Sequence, residues 1–153
     1  MVINVSVNVS KIDNMGDRTR AGVIEYLKTG ADKGVAVASD RVPVDRGAGG
    51  GLLSGIFEPE VSNDGQRVLW GIRDMPHARP IEEGTGPFYP PIQPLLEWSE
   101  RVSGGKGLGF YVARHKIPEE GITAQPYMSP GREAQLRWYR SHSASDFIDR
   151  EFR

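Results

Sequence analysis

The residues most suited to acid–base or metal chemistry are two pairs of adjacent carboxylates and three histidines: Glu82-Glu83, Glu119-Glu120, His77, His115 and His142. Glycoside hydrolysis needs two carboxyl groups facing each other across a gap of about 5–9 Å, whereas adjacent residues point apart. None of the histidines lies in an HxH, HExxH or HxxE pattern typical of zinc sites. We therefore interpret the carboxylates as charged turn residues and the histidines as surface or satisfied polar residues, and predict no metal and no cofactor.

Two glycine-rich segments could cradle an anion. Residues 104–109 read GGKGLG, but a phosphate-binding loop ends in Gly-Lys-Ser/Thr and follows a strand, whereas Lys106 precedes Gly107 and a helix is expected before it. This segment is therefore predicted to be a flexible connection. Residues 47–51 suit an anion cradle as well as a loop that orders on assembly. Ser54 lacks the preceding glycine of a hydrolase nucleophile elbow.

The charge balance excludes strong general binding to nucleic acid. Lys and Arg number 19, Asp and Glu number 20, and the net charge is −1, so the cationic excess of a phosphate-binding protein is missing. Trp138 and Tyr139, near Arg137 and Arg140, could stack on bases, but the same residue types are enriched in subunit contacts, which we favour. Cysteine is absent, which excludes disulfides and thiolate chemistry. Neither a secretory signal nor an apolar run of about 18 residues is visible.

The elements that position these residues begin with a strand and a long helix. Apolar residues alternate from Val2 to Val9 and then recur at steps of three and four from Ile12. The helix should end near Arg41, because Pro43 disfavours helical geometry at the residue before it. Small residues recur along this helix and are tolerable if another backbone packs closely against that face; they are Gly22, Gly30, Ala31, Gly34 and Ala38.

The rest of the chain predicts a hairpin and several short helices. Strands at 52–61 and 66–73 are joined by Asn63-Asp64-Gly65, and Pro59 indicates an edge position or a bulge. Helices are expected at 77–83, 92–102 and 108–116, the last ended by Pro118 and Gly121, and Pro130 should open a final helix. These elements predict an α+β fold in which a small, mainly antiparallel sheet packs against the long N-terminal helix and the short helices. Residues 1–142 form one domain, and residues 143–153 form a tail that is either loose or ordered by a partner.

A series of short motifs follows in a specific order. Pro43-Val44-Asp45-x-Gly47 precedes Leu52-x-Ser54-x-Ile56. The hairpin then leads to His77-Ala78-x-x-Ile81-Glu82-Glu83-Gly84-Thr85. Pro90-Pro91 and Leu95-Leu96-x-Trp98 come next. The series ends with Phe110-x-x-Ala113-Arg114-x-x-Ile117-x-x-x-Gly121-Ile122-x-x-Gln125-Pro126-Tyr127-Met128-x-Pro130. From about residue 41 to about residue 130, this order resembles the tail-completion or head–tail joining proteins of long-tailed phages, relatives of the minor tail protein Z of phage lambda.

The resemblance implies a structural virion protein that performs no reaction. It implies a ring, usually hexameric, assembled in the host cytoplasm at the neck of the particle. The ring would join a head-closure or adaptor protein to the tail terminator or tail tube, and double-stranded DNA would pass through it without sequence-specific binding. Tail terminator, or another neck or minor tail subunit, is the alternative within this class. A small hydrolase using Glu83 and His77 is the alternative outside it.

The residues carried over from the resemblance are structural. Asp45 and Gly47 shape the turn after the long helix, and Glu83, Gly84 and Thr85 shape the turn after the hairpin, with Gly84 as a left-handed helix cap. Trp98 and Tyr127 are expected to be large core or interface anchors. The candidates for subunit interfaces are large apolar side chains: Leu52, Ile56, Trp98, Tyr127, Trp138, Tyr139, Phe147 and Phe152.

Overall fold

A long helix and a three-stranded antiparallel sheet form the centre of the fold, and shorter helices surround them, so the predicted α+β class is confirmed. The computed structural model describes residues 16–43, 51–63 and 67–153, together with the backbone of residues 3–8. The elements in chain order are β1 (Ile3–Asn8), α1 (Asp17–Arg41), a 3₁₀ helix (Gly51–Gly55), β2 (Ile56–Val61), β3 (Arg67–Ile72), α2 (Ala78–Glu83), α3 (Ile92–Ser103), α4 (Gly107–Tyr111), a π-helical segment (Val112–Lys116), α5 (Ile117–Glu120), α6 (Met128–Ser141) and α7 (Ala144–Arg150).

The sheet has the order β1-β3-β2, with β3 in the centre and paired antiparallel to both neighbours. Val68, Trp70 and Ile72 of β3 are almost fully buried because alternate side chains of a strand point to the same face. The pairing of β2 with β3 shifts register between Phe57 and Glu60. Pro59 lies within this shift on an edge strand, as predicted. Of the hairpin turn, Asp64 and Gly65 lie outside the described residues.

The glycines of α1 permit direct contact with the backbones of two later helices. A Cβ atom added at Gly131 of α6 would lie 2.6 Å from the carbonyl oxygen of Gly34, and one added at Gly22 would lie 2.7 Å from the Cα atom of Ile148 in α7. The predicted close packing on this face is therefore confirmed. The helix also ends at Arg41 as predicted, because Val42 before Pro43 is extended, with φ −61° and ψ 134°.

A buried chain of hydrogen bonds connects β3, α6 and α1. The Trp70 indole N–H donates to Gln135 Oε1 at 2.9 Å, the Gln135 amide donates to the Tyr139 hydroxyl at 3.1 Å, and that hydroxyl donates to the Leu27 carbonyl at 2.6 Å. Burial raises the pKa of Tyr139 to about 12, so its hydroxyl keeps the proton that it donates. Each polar group in this series has a hydrogen-bond partner, which is the condition for burying polar groups without a large cost in free energy.

Helices α3 and α4 form a tight helical hairpin. Gly104 ends α3 in the left-handed conformation, with φ 71° and ψ 12°, and the Ser99 hydroxyl donates to the Gly105 carbonyl. A Cβ atom at Gly109 would lie 2.2 Å from the Leu95 carbonyl oxygen, so the two helix backbones contact each other. The glycine-rich segment 104–109 therefore ends α3 at Gly104 and allows close packing of α4 on α3 at Gly109. The prediction of a flexible connection was wrong.

The helix predicted at 108–116, ended by Pro118 and Gly121, is longer than expected: Pro118 does not end it, whereas Gly121 does. The helical path continues from α4 through the π-helical segment into α5 and ends at Gly121, whose φ is 76°. Pro118 is tolerated because it lies in the first turn of α5, directly after the π-helical segment, where a residue without an N–H donor costs least.

The C-terminal segment packs on the chain itself. Ser143 caps α7 by accepting a hydrogen bond from the Ser145 N–H, and Phe147 is buried, with its ring 5.5 Å from that of Tyr26 in α1. The expectation of a loose or partner-bound tail beyond residue 142 therefore needs correction, since the glycine gap at Gly22 gives α7 a docking site on α1.

The contact between α1 and α6 can be tested with one added methyl group. We expect Gly131→Ala to lower the free energy of unfolding by about 1–3 kcal/mol, because the methyl group would overlap Gly34 and the Trp70 ring. The matched control is Gly107→Ala, where nothing lies within 4 Å and alanine should be neutral or stabilising. Urea unfolding measures both variants, and equal stabilities would show that the two backbones are not in contact.

Candidate functional site

Two separate segments of the chain, 81–85 and 122–129, meet at the carboxylate of Glu82. This side chain is only 8% exposed. Its Oε2 accepts hydrogen bonds from the Tyr127 and Met128 N–H groups at 2.7 and 2.9 Å. Its Oε1 accepts from the Ser129 N–H at 2.9 Å and from the Ser129 hydroxyl at 2.6 Å. The first N–H groups of a helix have no partner within the helix, so Glu82 at the end of α2 caps the start of α6.

The environment of Glu82 favours its charged form. Burial by itself would raise the pKa of this carboxyl, but the hydrogen bonds from the Ser129 hydroxyl and from the three backbone N–H groups outweigh burial and hold the pKa below its ordinary value. The positive end of the α6 dipole acts in the same direction. The neighbouring Tyr127 is fully buried, and its hydroxyl donates to the Ala78 carbonyl at 3.2 Å. Burial and the charge of Glu82 raise the pKa of Tyr127 to about 12.

Two glycines bring the adjoining loops into backbone contact. Thr85 and Ile122 form an antiparallel bridge, with N–H to carbonyl distances of 2.9 and 3.2 Å. Gly84 and Gly121 flank the bridge with φ values of 74° and 76°, and a Cβ atom on Gly121 would lie 2.1 Å from the Thr85 carbonyl oxygen. Only glycine readily occupies this region of positive φ and extended ψ.

The turn predicted at Glu83, Gly84 and Thr85 does follow α2, and Gly84 does have positive φ. The predicted left-handed helical cap was wrong, because Gly84 has ψ 176°. The chain is extended at this point and leads directly into the pairing with Ile122. Asp45 and Gly47, predicted to shape the other turn, lie outside the described residues.

The interpretation of Glu82 as a charged turn residue was also wrong. Its partners are 45 to 47 residues further along the chain, and no local pattern connects the two segments. The nearest signal in the sequence is the pair of adjacent carboxylates itself, of which Glu83 is exposed and paired with Arg79 at 2.7 Å.

The candidate interface residues divide by burial. Leu52, Tyr127 and Phe147 are buried in the core of the chain, so they present no surface to a partner, and their prediction as interface residues needs correction. Ile56, Trp98, Trp138 and Tyr139 are half-buried. Phe152 is 58% exposed. Apolar residue types indicate both cores and interfaces, which is why the sequence could not separate these groups.

Trp138 and Tyr139 belong to an aromatic cluster that joins α1, α6 and α7. The ring of Tyr26 lies 5.2 Å from each of them, within the range of favourable aromatic pairs. The Tyr26 hydroxyl donates to the carbonyl groups of Tyr139 and His142, each at 3.1 Å. His142 stacks on Trp138 with ring centres 4.3 Å apart. These aromatic side chains therefore hold the helices of the chain together.

The remaining chemistry-bearing residues do not converge in the described part of the chain. The carboxylate of Glu83 is engaged by Arg79, and His115 and Lys116 pair with Glu119 and Glu120 one turn further along. Within 16–43, 51–63 and 67–153, no group of three or more His, Asp or Glu side chains has the spacing of a metal site. None of the helices in these ranges is both long and apolar enough to cross a bilayer.

The helical hairpin of α3 and α4 leaves several large apolar side chains exposed. Four large apolar side chains of this hairpin are between 42% and 55% exposed, and the preceding loop adds two more; they are Val102, Leu108, Phe110, Tyr111, Phe88 and Tyr89. Basic side chains lie among them at Arg101, Lys106 and Arg114. Large apolar side chains left exposed on one hairpin are typical of a site that another molecule covers.

Comparisons with known proteins found no match, whether to a protein-family model, to a curated protein or to a solved structure.

The cap on α6 can be tested by removing one charge. We expect Glu82→Gln to lower the free energy of unfolding by about 1–3 kcal/mol, since the amide nitrogen cannot accept the hydrogen bonds that the carboxylate oxygen accepts. Glu83→Gln is the matched control and should change stability by less than about 1 kcal/mol, because its ion pair is exposed. Equal effects of the two substitutions in urea unfolding would contradict the role of Glu82.

The same carboxylate predicts a pH dependence of stability. The pKa of Glu82 is lower in the folded chain than its ordinary value of 4.5. Its contribution to stability is therefore present above about pH 4.5 and is lost as the pH falls through the folded-state pKa. The difference in unfolding free energy between the natural chain and Glu82→Gln should shrink as the pH falls below 4.5. A difference that stays constant from pH 7 to pH 3 would be the contrary result.

Proposed function

We propose that this chain is a structural subunit of a ring at the head–tail junction of a tailed virus, where it joins the head-closure ring to the tail and lets DNA pass. The observation that carries the proposal is the resemblance, in order, of the sequence motifs to head–tail joining proteins. The structure adds that two of these motif segments, 81–85 and 121–128, meet around Glu82. Residues that a family of assembly proteins shares because they maintain the fold are expected where separate segments of the chain meet.

The surface of the chain is consistent with a ring subunit. A ring forms when two different surfaces on each copy bind each other and the rotation between copies closes. The exposed apolar side chains of the α3–α4 hairpin supply one such surface. The net charge of −1 also suits a ring around moving DNA, because a strongly cationic lumen would retain the phosphate backbone.

The proposal predicts where this chain lies in the particle. In the virus that encodes it, an electron cryomicroscopy reconstruction should contain a ring of this fold between head and tail. A virus lacking the gene should produce filled heads and free tails, which the purified protein should join. Density at the end of the tail tube would instead indicate a tail terminator. Absence of the chain from intact particles, or turnover of a small molecule by the purified chain, would refute the proposal.

A further inference from the structure

We propose that the α3–α4 hairpin of one copy binds the C-terminal face of a second copy, formed by α7 and the residues that follow it. This head-to-tail contact deepens the proposed ring function and rests on it. It specifies which two surfaces of the chain contact each other and why they differ.

The hairpin supplies an apolar surface with a basic border. Phe110 and Tyr111 are 52% and 55% exposed, and Val102 and Leu108 extend the same surface. Arg114 has no ion-pair partner in the described part of the chain, and the amine of Lys106 has only a carboxylate oxygen of Glu100 at 4.0 Å. Between residues 92 and 116 the charged side chains are Glu97, Glu100, Arg101, Lys106, Arg114 and Lys116, so cations outnumber carboxylates.

The C-terminal face supplies the complementary chemistry. Phe152 is 58% exposed at its edge. Asp146 and Asp149 are exposed and have no ion-pair partner among the described residues. They are three residues apart in α7, which places them on one side of the helix. Carboxylates outnumber cations by one among the charged side chains of this face, which are Asp146, Asp149, Arg150, Glu151 and Arg153. Arg150 lies over the Phe147 ring, 4.9 Å from its centre, so its guanidinium group is directed to the aromatic cluster of its own chain.

Charge complementarity identifies the occupant as a second copy. The hairpin carries exposed aromatic residues together with Arg114 and Lys106, and the C-terminal face carries Phe152 together with Asp146 and Asp149. Opposite charges across an interface fix orientation and speed association. Tyr, Phe and Arg are also typical of interface centres. Because the two surfaces are different, one copy can bind a neighbour on each side. Such a heterologous contact can close into a ring, whereas pairing of two identical hairpins would stop at a dimer.

The absence of cysteine allows a direct crosslinking test. Chains carrying Phe110→Cys or Phe152→Cys, treated with a short bismaleimide, should crosslink poorly alone and form dimers when mixed. A chain carrying both substitutions should form a series of crosslinked oligomers, of which the largest has the number of subunits of the ring. Leu136→Cys with Phe152→Cys is the control, because Leu136 is exposed on α6, outside both surfaces, and this pair should form no such series. Efficient crosslinking of Phe110→Cys alone would show hairpin pairing and overturn the inference.

Charge reversal provides a second, reversible measurement. Arg114→Asp should weaken self-association at least about tenfold in sedimentation equilibrium, and Asp149→Arg in the same chain should restore it, because the reversed pair again attracts. Failure of the rescue, or no self-association of the natural chain at any concentration, would overturn the inference. If the chain nevertheless lies in the neck of the particle, the proposed function stands and only this choice of surfaces fails.

Discussion

The arrangement of the helices depends on the hydrogen bonds that the Glu82 carboxylate accepts. A buried charge costs several kcal/mol unless hydrogen bonds satisfy it, and here three backbone N–H groups and one hydroxyl do so. The same bonds satisfy the start of α6, so the charge and the helix end stabilise each other. Since α6 carries Gln135 and Tyr139, which hydrogen-bond to Trp70 and to α1, the cap also fixes how α6 lies on the sheet and on the long helix.

The small residues of α1 make that position possible. Gly34 lets α6 approach until the backbones touch at Gly131, and Gly22 does the same for α7 at Ile148. Glycine lowers helix propensity by up to about 1 kcal/mol, which the burial of Trp70 and Phe147 at this face can offset. One side of α1 is thereby occupied by helices of the same chain. The α3–α4 hairpin packs mainly within itself and keeps Phe110 and Tyr111 exposed.

Local sequence patterns predicted helices and strands. Contacts between residues far apart in the chain could not be predicted in this way. The proline rule placed the end of α1 at Arg41, and Pro59 marked the irregular edge strand. The π-helical segment before Pro118 has no comparable sequence pattern, so the helix there was predicted too short. Glu82 could not be identified because its partners lie 45 or more residues away. Tyr127 and Phe152 are both aromatic residues of the kind expected at interfaces, yet one is in the core and the other at the surface.

This difference between buried and exposed aromatic residues bears on how such a chain would assemble. Residues at the Glu82 junction are satisfied within the chain, so they determine its shape without providing binding energy to a partner. Binding energy has to come from apolar surface that folding leaves in water, and among the described residues the α3–α4 hairpin and Phe152 hold much of it. In the proposed ring, a rigid body stabilised by a buried charge would present an aromatic hairpin to its neighbour. Stability and assembly would then depend on separate residues, so that either can change without disrupting the other.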